Sequence, residues 1–252
     1  MPERTAPETA PPASRFTLPR YPVPRGVHPP LLSPGYRSTV LRAPSRPLVL
    51  LPQNLTEVTG PLLGADRVGQ ADNDLTIQNP GGEPLGQRII VHGRVLDQDG
   101  RAIPRTLIEI WQANSAGRYH HAGDTWPAPL DPHFTGVGRT LTDDAGRYTF
   151  TTIKPGAYPW RNHHNAWRPA HIHFSLFGTA FTQRLVTQMY FPADPLIRHD
   201  PVINSIPDGR ARQRLISRFD LDNTVESWAL AFEFDIVLRG TASTPMEEVR
   251  RG

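Results

Sequence analysis

The sequence contains no cysteine, and this absence excludes several kinds of site. Disulfides, zinc–thiolate sites, iron–sulfur clusters and cysteine nucleophiles all require a thiol. Any metal in this protein must therefore be bound by His, Tyr, Asp or Glu side chains.

Long apolar segments are also absent. No run approaches the roughly 20 residues that a membrane-spanning helix needs. The N-terminus leads into Pro-rich polar sequence without the apolar core of a signal peptide. We therefore expect a soluble, cytoplasmic protein with no membrane partner.

Positive charge is concentrated at one end of the chain. Residues 1–50 contain seven Arg and two Glu, whereas the whole chain has a net charge of +3, so the remainder is slightly acidic. A nucleic-acid-binding domain carries its basic residues on a folded face, but these lie in a segment punctuated by proline. We expect no nucleic-acid partner. Because proline cannot complete a β-ladder, the segment is predicted to be an extended arm that lies on a partner chain.

Familiar catalytic motifs are absent too. There is no Gly-x-Ser-x-Gly nucleophile elbow and no phosphate-binding loop that ends in Gly-Lys-Ser/Thr. Gly136-x-Gly138 lacks the third glycine of a dinucleotide site, and Asp97-x-Asp99-Gly100 lacks the later ligands of a calcium loop. We interpret the second of these motifs as a tight turn.

Short β-type runs separated by turn signals dominate the chain beyond about residue 85. The predicted strands are 88–96, 106–111, 146–153, 171–177, 184–191 and 228–238, with one short helix at 208–217. This pattern predicts an all-β protein with a β-sandwich core, long loops and an extended Pro-rich N-terminal arm. We expect residues 1–85 to form the arm and subunit-contact segment, and residues 86–252 to form the β-sandwich catalytic domain.

The most informative segment is WRPAHIHF at residues 167–174. His171 and His173 are two residues apart in a strand-like run, so their side chains point to the same face. Two neutral imidazoles provide half of a four-ligand metal site, and Arg168 beside them can stabilise developing negative charge. An isolated His-x-His can also be structural, with both rings hydrogen-bonded to neighbours.

Tyrosine supplies the other possible ligands. Of six tyrosines, Tyr119 and Tyr158 lie in two long loops, 112–145 and 154–168, and loops often carry functional sites. Composition alone does not select this pair, since a tyrosine is ordinarily a core or rim residue.

Several motifs resemble the intradiol ring-cleaving dioxygenases. They are WQAN at 111–114, APLDP at 128–132, GVGRT at 136–140, IKPG at 153–156, YPWRN at 158–162, WRPAHIHF at 167–174 and FDIVLRG at 234–240. The likeness extends from about residue 28 to residue 240. It implies a non-haem Fe(III) bound by Tyr119, Tyr158, His171 and His173, and the cleavage of a catecholic substrate by O2 between its two hydroxyl-bearing carbons.

The same resemblance implies distinct roles for the four ligands. Tyr158 would be the axial ligand that departs when the substrate binds, and Tyr119 the equatorial ligand that stays. His171 would be equatorial and His173 axial. Two phenolates and one hydroxide neutralise a ferric ion, so the departing Tyr158 and hydroxide can accept the two protons of the catechol.

Four further residues are assigned to the substrate site by the resemblance. Arg168 would stabilise carbanion character in the ring, with a surface salt bridge as the structural alternative. Gln188 would line the site, although a hydrogen bond on the strand face explains it nearly as well. Trp160 would form a cavity wall, and Tyr36 would lie near a substrate carboxylate. His163 and His164 receive no role.

The likeness is specific to the iron-bearing chain of the family's two-chain enzymes, which implies a homologous α chain as partner. One alternative is a catechol or hydroxyquinol 1,2-dioxygenase, but those members carry a helical N-terminal dimerisation domain that a Pro-rich N-terminus cannot supply. The other is a non-catalytic, iron-free chain of the family. The complete set of four expected ligands argues against it.

Overall fold

The computed structural model describes residues 25–46, 68–177 and 184–247. Most of the Arg- and Pro-rich arm predicted for residues 1–85 lies outside these ranges. None of the helices within them is long and apolar enough to cross a membrane.

Strands dominate the described chain, as the sequence predicts. In order they are β1 (Arg88–Leu96), β2 (Leu107–Trp111), β3 (Val137–Leu141), β4 (Arg147–Ile153), β5 (Tyr158–Pro159), β6 (Trp167–Arg168), β7 (His171–Phe177), β8 (Leu185–Tyr190), β9 (Arg218–Val225), β10 (Ala229–Glu233) and β11 (Ile236–Val237). The helices are α1 (Arg37–Arg42), α2 (Pro201–Asn204) and α3 (Gly209–Gln213), with a 3-10 turn at Ile197–His199.

Two sheets enclose the main core. One is antiparallel, with strand order β3-β2-β7-β8. In the other, β1 pairs with β4 along one edge and with β10 and β11 along the opposite edge, and β9 extends the sheet beyond β10. Buried side chains from both sheets, among them Val91, Ile108, Phe150 and Phe174, form one hydrophobic cluster. The prediction of a β-sandwich is confirmed.

The strand predicted at 228–238 is divided in the structure. Between β10 and β11, the Asp235 carboxylate accepts the Arg94 backbone N–H at 2.8 Å in place of a ladder carbonyl. The Phe234 carbonyl comes so close to Gly93 that a Cβ there would overlap it. A side chain thus interrupts the pairing, which strand propensity does not reveal.

Four strands were not predicted, namely β3, β9 and the two-residue strands β5 and β6 inside the segment interpreted as a loop at 154–168. The predicted helix is shorter than expected. β3 lies inside the segment interpreted as a loop at 112–145, and its alternating buried positions are Gly138 and Thr140, which give no apolar signal in the sequence. β9 is mostly exposed and does not alternate. The helix predicted at 208–217 is α3, which Asp208 caps by accepting the Arg210 N–H. Leu215 lies beyond α3 and is buried in a second cluster with Val27 and Tyr190.

Strand β7 separates the core from the opposite face of its sheet. Ile172, Phe174 and Leu176 belong to the main core cluster. Because side chains alternate along a strand, His171 and His173 project to the other side. The site lies on this outer face.

Candidate metal centre

The register of the sheet surrounds the two histidines with specific neighbours. His171 lies opposite Tyr190, and His173 lies opposite Gln188 on one side and Trp111 on the other. Directly opposed residues of antiparallel strands share a face. The ring of His173 stacks on Trp111 with a centroid distance of 4.7 Å and an interplanar angle of 6°.

Hydrogen bonds at Nδ1 fix the tautomer of both imidazoles. The Nδ1–H of His171 donates to the Pro169 carbonyl oxygen at 2.8 Å, and that of His173 donates to the Glu247 carboxylate at 3.1 Å. A carbonyl or carboxylate oxygen can only accept, so the Nε2 lone pair of each ring stays available. This outer hydrogen bond is what orients histidine ligands in metal sites.

Burial keeps these groups in the protonation states that precede metal binding. Burial first, and then the charges of Arg168 and His173, hold the pKa of His171 well below its usual value. Burial alone would raise the pKa of Glu247, but the combined interactions with His173, Arg168 and Gln188 lower it. The site therefore presents a neutral His171 and an ionised Glu247 at neutral pH.

The two tyrosine-bearing loops meet in close backbone contact. The Gly156 N–H donates to the Asn114 carbonyl at 2.9 Å. Gly117 adopts a φ of +79°, and a Cβ at this residue would overlap the Ala157 carbonyl oxygen. Only glycine permits this combination of left-handed conformation and close approach. The contact brings the rings of Tyr119 and Tyr158 to a centroid distance of 5.4 Å.

Both phenols converge on the histidines. Tyr158 Oη lies 3.3 Å from His171 Nε2, and the centroid of the Tyr119 ring lies 6.4 Å from that of His173. The Tyr119 hydroxyl is buried and makes no hydrogen bond of standard geometry with a described residue, although it interacts with the Tyr158 hydroxyl closely enough to affect both pKa values. Burial, followed by the neighbouring Tyr158 phenol, raises the pKa of Tyr119 well above its usual value, and burial likewise raises the pKa of Tyr158.

These four side chains offer donor atoms of the kinds that bind metal ions. No group of three or more His, Cys, Asp or Glu side chains suited to a metal occurs in the described ranges. The donors gathered here are two buried phenols and two imidazoles with Nε2 lone pairs. A cation would favour the phenolates that burial disfavours.

Arg168 lies in a buried polar network beside this cluster. Its Nε is 2.9 Å from Asp200 Oδ1, and its Nη2 donates to Asp200 Oδ2 at 3.0 Å. Gln188 Oε1 and, at 3.1 Å, the Tyr190 hydroxyl also lie within hydrogen-bond distance of Nη2, so its two hydrogens are shared among three acceptors. The structural alternative of a surface salt bridge is excluded, because the Arg168 side chain is only 3% exposed.

Trp160 and Tyr36 extend the site toward the N-terminal segment. The Arg168 guanidinium lies over the Trp160 ring at 5.1 Å, and the Trp160 ring meets Tyr36 edge-to-face at 5.4 Å. Asn162 holds the start of α1 in place, since its side-chain oxygen accepts the Ser38 N–H at 2.7 Å. All eight residues assigned from sequence thus lie in one connected region.

His163, which received no role, is buried beside Trp160 with a ring-centroid distance of 6.4 Å. Neither of its ring nitrogens makes a hydrogen bond with the described part of the chain. Burial lowers its pKa. Its contacts give it no defined function in the site.

Sequence reasoning missed three residues of the site. Glu247 and Asp200 are far from their partners along the chain, and no motif marks either one. Tyr190 could have been found, since it follows Gln188 by two residues on a strand and therefore shares its face.

Comparisons with known proteins identify the family of this chain. The family model described as "Dioxygenase" matches residues 58–240, and the model described as "Protocatechuate 3,4-dioxygenase beta subunit N terminal" matches residues 21–54. The protocatechuate 3,4-dioxygenase beta chain of Burkholderia cepacia is 58% identical over 87% of this chain and 94% of its own length. The corresponding alpha chain of Pseudomonas putida is 31% identical over 79% of this chain and 97% of its own length.

A solved structure shares the fold. The 3-chlorocatechol 1,2-dioxygenase of Rhodococcus opacus 1CP superposes with a TM-score of 0.51 over 68% of this chain and 65% of its own. The sequence identity in this match is 23%.

Gly117→Ala is expected to destabilise the protein more than Gly100→Ala. The two glycines have nearly equal φ angles, +79° and +78°, so both substitutions impose similar backbone strain of about 1–2 kcal/mol. A Cβ at residue 117 would also overlap Ala157, whereas nothing lies within 4 Å of a Cβ at residue 100. Denaturant unfolding should show an additional loss of roughly 1–3 kcal/mol for Gly117→Ala. Equal losses would contradict the proposed loop contact.

Proposed function

This chain belongs to the intradiol dioxygenase family, and from that premise we propose that it is the iron-bearing β chain that cleaves protocatechuate with O2. The bond between the two hydroxyl-bearing carbons breaks, both oxygen atoms enter the product, and 3-carboxy-cis,cis-muconate forms in aromatic catabolism. The observation that carries this proposal is the convergence of two buried phenols and two imidazoles with available Nε2 atoms.

The family uses non-haem iron, and we assign Tyr119, Tyr158, His171 and His173 as the residues that would bind Fe(III) in this chain. Bound ferric iron supplies the Lewis acidity that holds a catechol as its dianion and makes the ring reactive toward O2. The protein contributes two nitrogen donors whose ring orientations are fixed by hydrogen bonds to Pro169 and Glu247.

Tyr158 is the base that we assign to one catechol proton. Its phenol has a raised pKa because burial disfavours the anion, although the Arg168 charge acts in the opposite direction. As a phenolate, Tyr158 Oη would therefore bind a proton strongly.

Arg168 is the residue that we assign to the negative charge that develops on the ring. Burial alone would lower the pKa of Arg168, but the charge of the Asp200 carboxylate outweighs that effect. The pKa of Arg168 is raised well above its usual value, so the guanidinium remains protonated. Fixed cations in a water-poor site stabilise transition-state charge strongly. Gln188 accepts a hydrogen bond from Nη2 and so contributes to its orientation.

We assign Trp160 and Tyr36 to the substrate pocket, with Tyr36 near the carboxylate of protocatechuate. An anion in a partly dry pocket requires paired donors. We therefore propose that the homologous α chain contributes basic residues across a shared interface. In this proposal residues 1–85 provide the subunit contact, although Leu75 within them is buried in the core of the sandwich. A cytoplasmic location stays a prediction.

Purified protein is expected to contain close to one iron per chain and to be reddish from tyrosinate-to-iron charge transfer. His171→Ala should lose most of the iron, while Tyr158→Phe should shift or weaken the visible band. The exposed His199 is the control, and His199→Ala should keep iron and colour. Elemental analysis and visible absorption test this. Active, natively loaded protein that contains zinc or no metal would contradict the assignment.

Arg168→Lys is expected to lower kcat by roughly 10²–10³-fold, as removal of a single stabilising donor group does. Lysine keeps the charge that Asp200 requires but cannot reproduce the planar fork of donors. Arg218→Lys is the control, since Arg218 is exposed and pairs with Glu233. Steady-state kinetics at equal iron content provide the measurement. A near-normal kcat in Arg168→Lys would leave Arg168 with a structural role.

The β chain produced alone is expected to be nearly inactive, and co-expression with the homologous α chain should restore ring cleavage. The reason is that this chain supplies a complete set of metal donors but only Tyr36 near the substrate carboxylate. Turnover per iron in the two preparations is the measurement. Equal turnover without the α chain would rule out a shared substrate site.

A further inference from the structure

One fully buried carboxylate has no part in the reaction as described so far. Asp200 is 0% exposed, and its two oxygens have four polar partners. Oδ1 accepts the Val202 N–H at 3.1 Å and lies 2.9 Å from Arg168 Nε. Oδ2 lies 3.0 Å from Arg168 Nη2 and 2.8 Å from the Tyr190 hydroxyl. The carboxylate thus joins the start of α2 to the guanidinium.

The Tyr190 hydroxyl also contacts the Asp200 carboxylate. It has a single hydrogen, and two acceptors lie within reach, Asp200 Oδ2 at 2.8 Å and Gln188 Oε1 at 2.7 Å. The ionised carboxylate is the stronger acceptor, so the hydroxyl donates to Asp200 and accepts from Arg168 Nη2. Asp200 is therefore held in place by Tyr190 as well as by α2.

These contacts determine which part of the guanidinium is available. Nε and Nη2 face Asp200, and Nη2 is also used by Gln188 and Tyr190. Trp160 covers one face of the group at 5.1 Å. Neither Nη1 nor Nε donates a hydrogen bond of standard geometry to a residue in the described ranges, but Nε lies 2.9 Å from Asp200 Oδ1. Nη1 is therefore the nitrogen left for a ligand.

The Arg168–Asp200 ion pair is buried, and burial of an ion pair is weak evidence that the pair stabilises the folded protein. Removing two charges from water costs about as much as their attraction returns, and apolar replacements are often neutral or better. The Arg168–Asp200 pair lies beside the proposed metal ligands, where orientation affects rate. Misplacement of a catalytic group by about 1 Å can lower the rate by about 100-fold.

We propose that Asp200 is a positioning residue for ring cleavage, which holds the Arg168 guanidinium edge-on so that Nη1 is presented to the substrate. This inference rests on the proposed function. Asp200 does not touch the metal ligands or the substrate in this scheme, and it acts through Arg168 alone.

The test uses Asp200→Asn in the co-expressed, iron-loaded enzyme. Asparagine keeps the shape of the side chain and the capping of α2 but removes the charge. We expect unchanged iron content and visible band, a KM within about three-fold of the original and a kcat lower by up to about 100-fold. Asp208→Asn is the matched control, because Asp208 caps α3 in the same way outside the site, and its kcat should not change.

A double-mutant cycle separates positioning from general stabilisation. If Asp200 acts through Arg168, Asp200→Asn should lower kcat much less in the Arg168→Lys background than in the original enzyme. An equal factor in both backgrounds, or an unchanged kcat in Asp200→Asn alone, would overturn the proposal. If Asp200→Asn does not assemble, Tyr190→Phe decides the question. It removes only the bridging hydroxyl, should lower kcat several-fold at unchanged iron content, and overturns the proposal if kcat is unchanged.

The outcome for Asp200 can be distinguished from failure of the proposed function. An original enzyme without iron-dependent cleavage of protocatechuate would remove the function and with it this inference. An active original enzyme whose Asp200→Asn variant is equally active would remove only the positioning role.

Discussion

The alternation of side chains along β7 is the constraint on which the rest of the structure depends. β7 is paired on both edges, with β2 and with β8, so its register is fixed. Ile172 and Phe174 fill the core between the sheets, and His171 and His173 occupy the opposite face. A slip of one residue would exchange the two faces. It would bury both imidazoles in the core and lose hydrophobic packing, so the pairing that stabilises the fold also builds the site.

Burial sets the electrostatic character of this face. His171 is neutral because burial lowers its pKa, the phenols of Tyr119 and Tyr158 stay protonated because burial raises theirs, and Arg168 is compensated by Asp200. Apart from the ionised Glu247, these groups carry little net charge before a metal enters. A bound cation then shifts the balance toward two phenolates. Tyrosine suits this site because a neutral phenol is tolerated in a buried position better than an unpaired carboxylate.

Much of the fold and of the site could be predicted from the sequence, for different reasons. The β-sandwich follows from short runs such as β1, whose buried and less buried residues alternate, and β7, whose polar and apolar residues alternate although almost all are buried. β9 was not predicted because most of its side chains are exposed. The break between β10 and β11 was not predicted because it depends on a hydrogen bond from the Asp235 side chain. The histidine pair follows from strand geometry, whereas Tyr119 and Tyr158 were selected only through motif resemblance. Their roles as ligands stay predictions.

The residues that escaped prediction differ in kind from those that did not. Only a few residue types can bind a given metal or substrate, so these residues occur in recognisable motifs. A residue that supports them needs only to reach the right point in space, and several residue types can do so. Asp200 is 32 residues from Arg168, and Glu247 is 74 residues from His173. Any acceptor that reached the same point could serve, so chain separation removes the local signal. Tyr190 is the exception, because it follows Gln188 by two residues on β8 and therefore lies on the same face of the sheet. Residues that support a site of this kind can thus be sought first on the strands that carry its known residues.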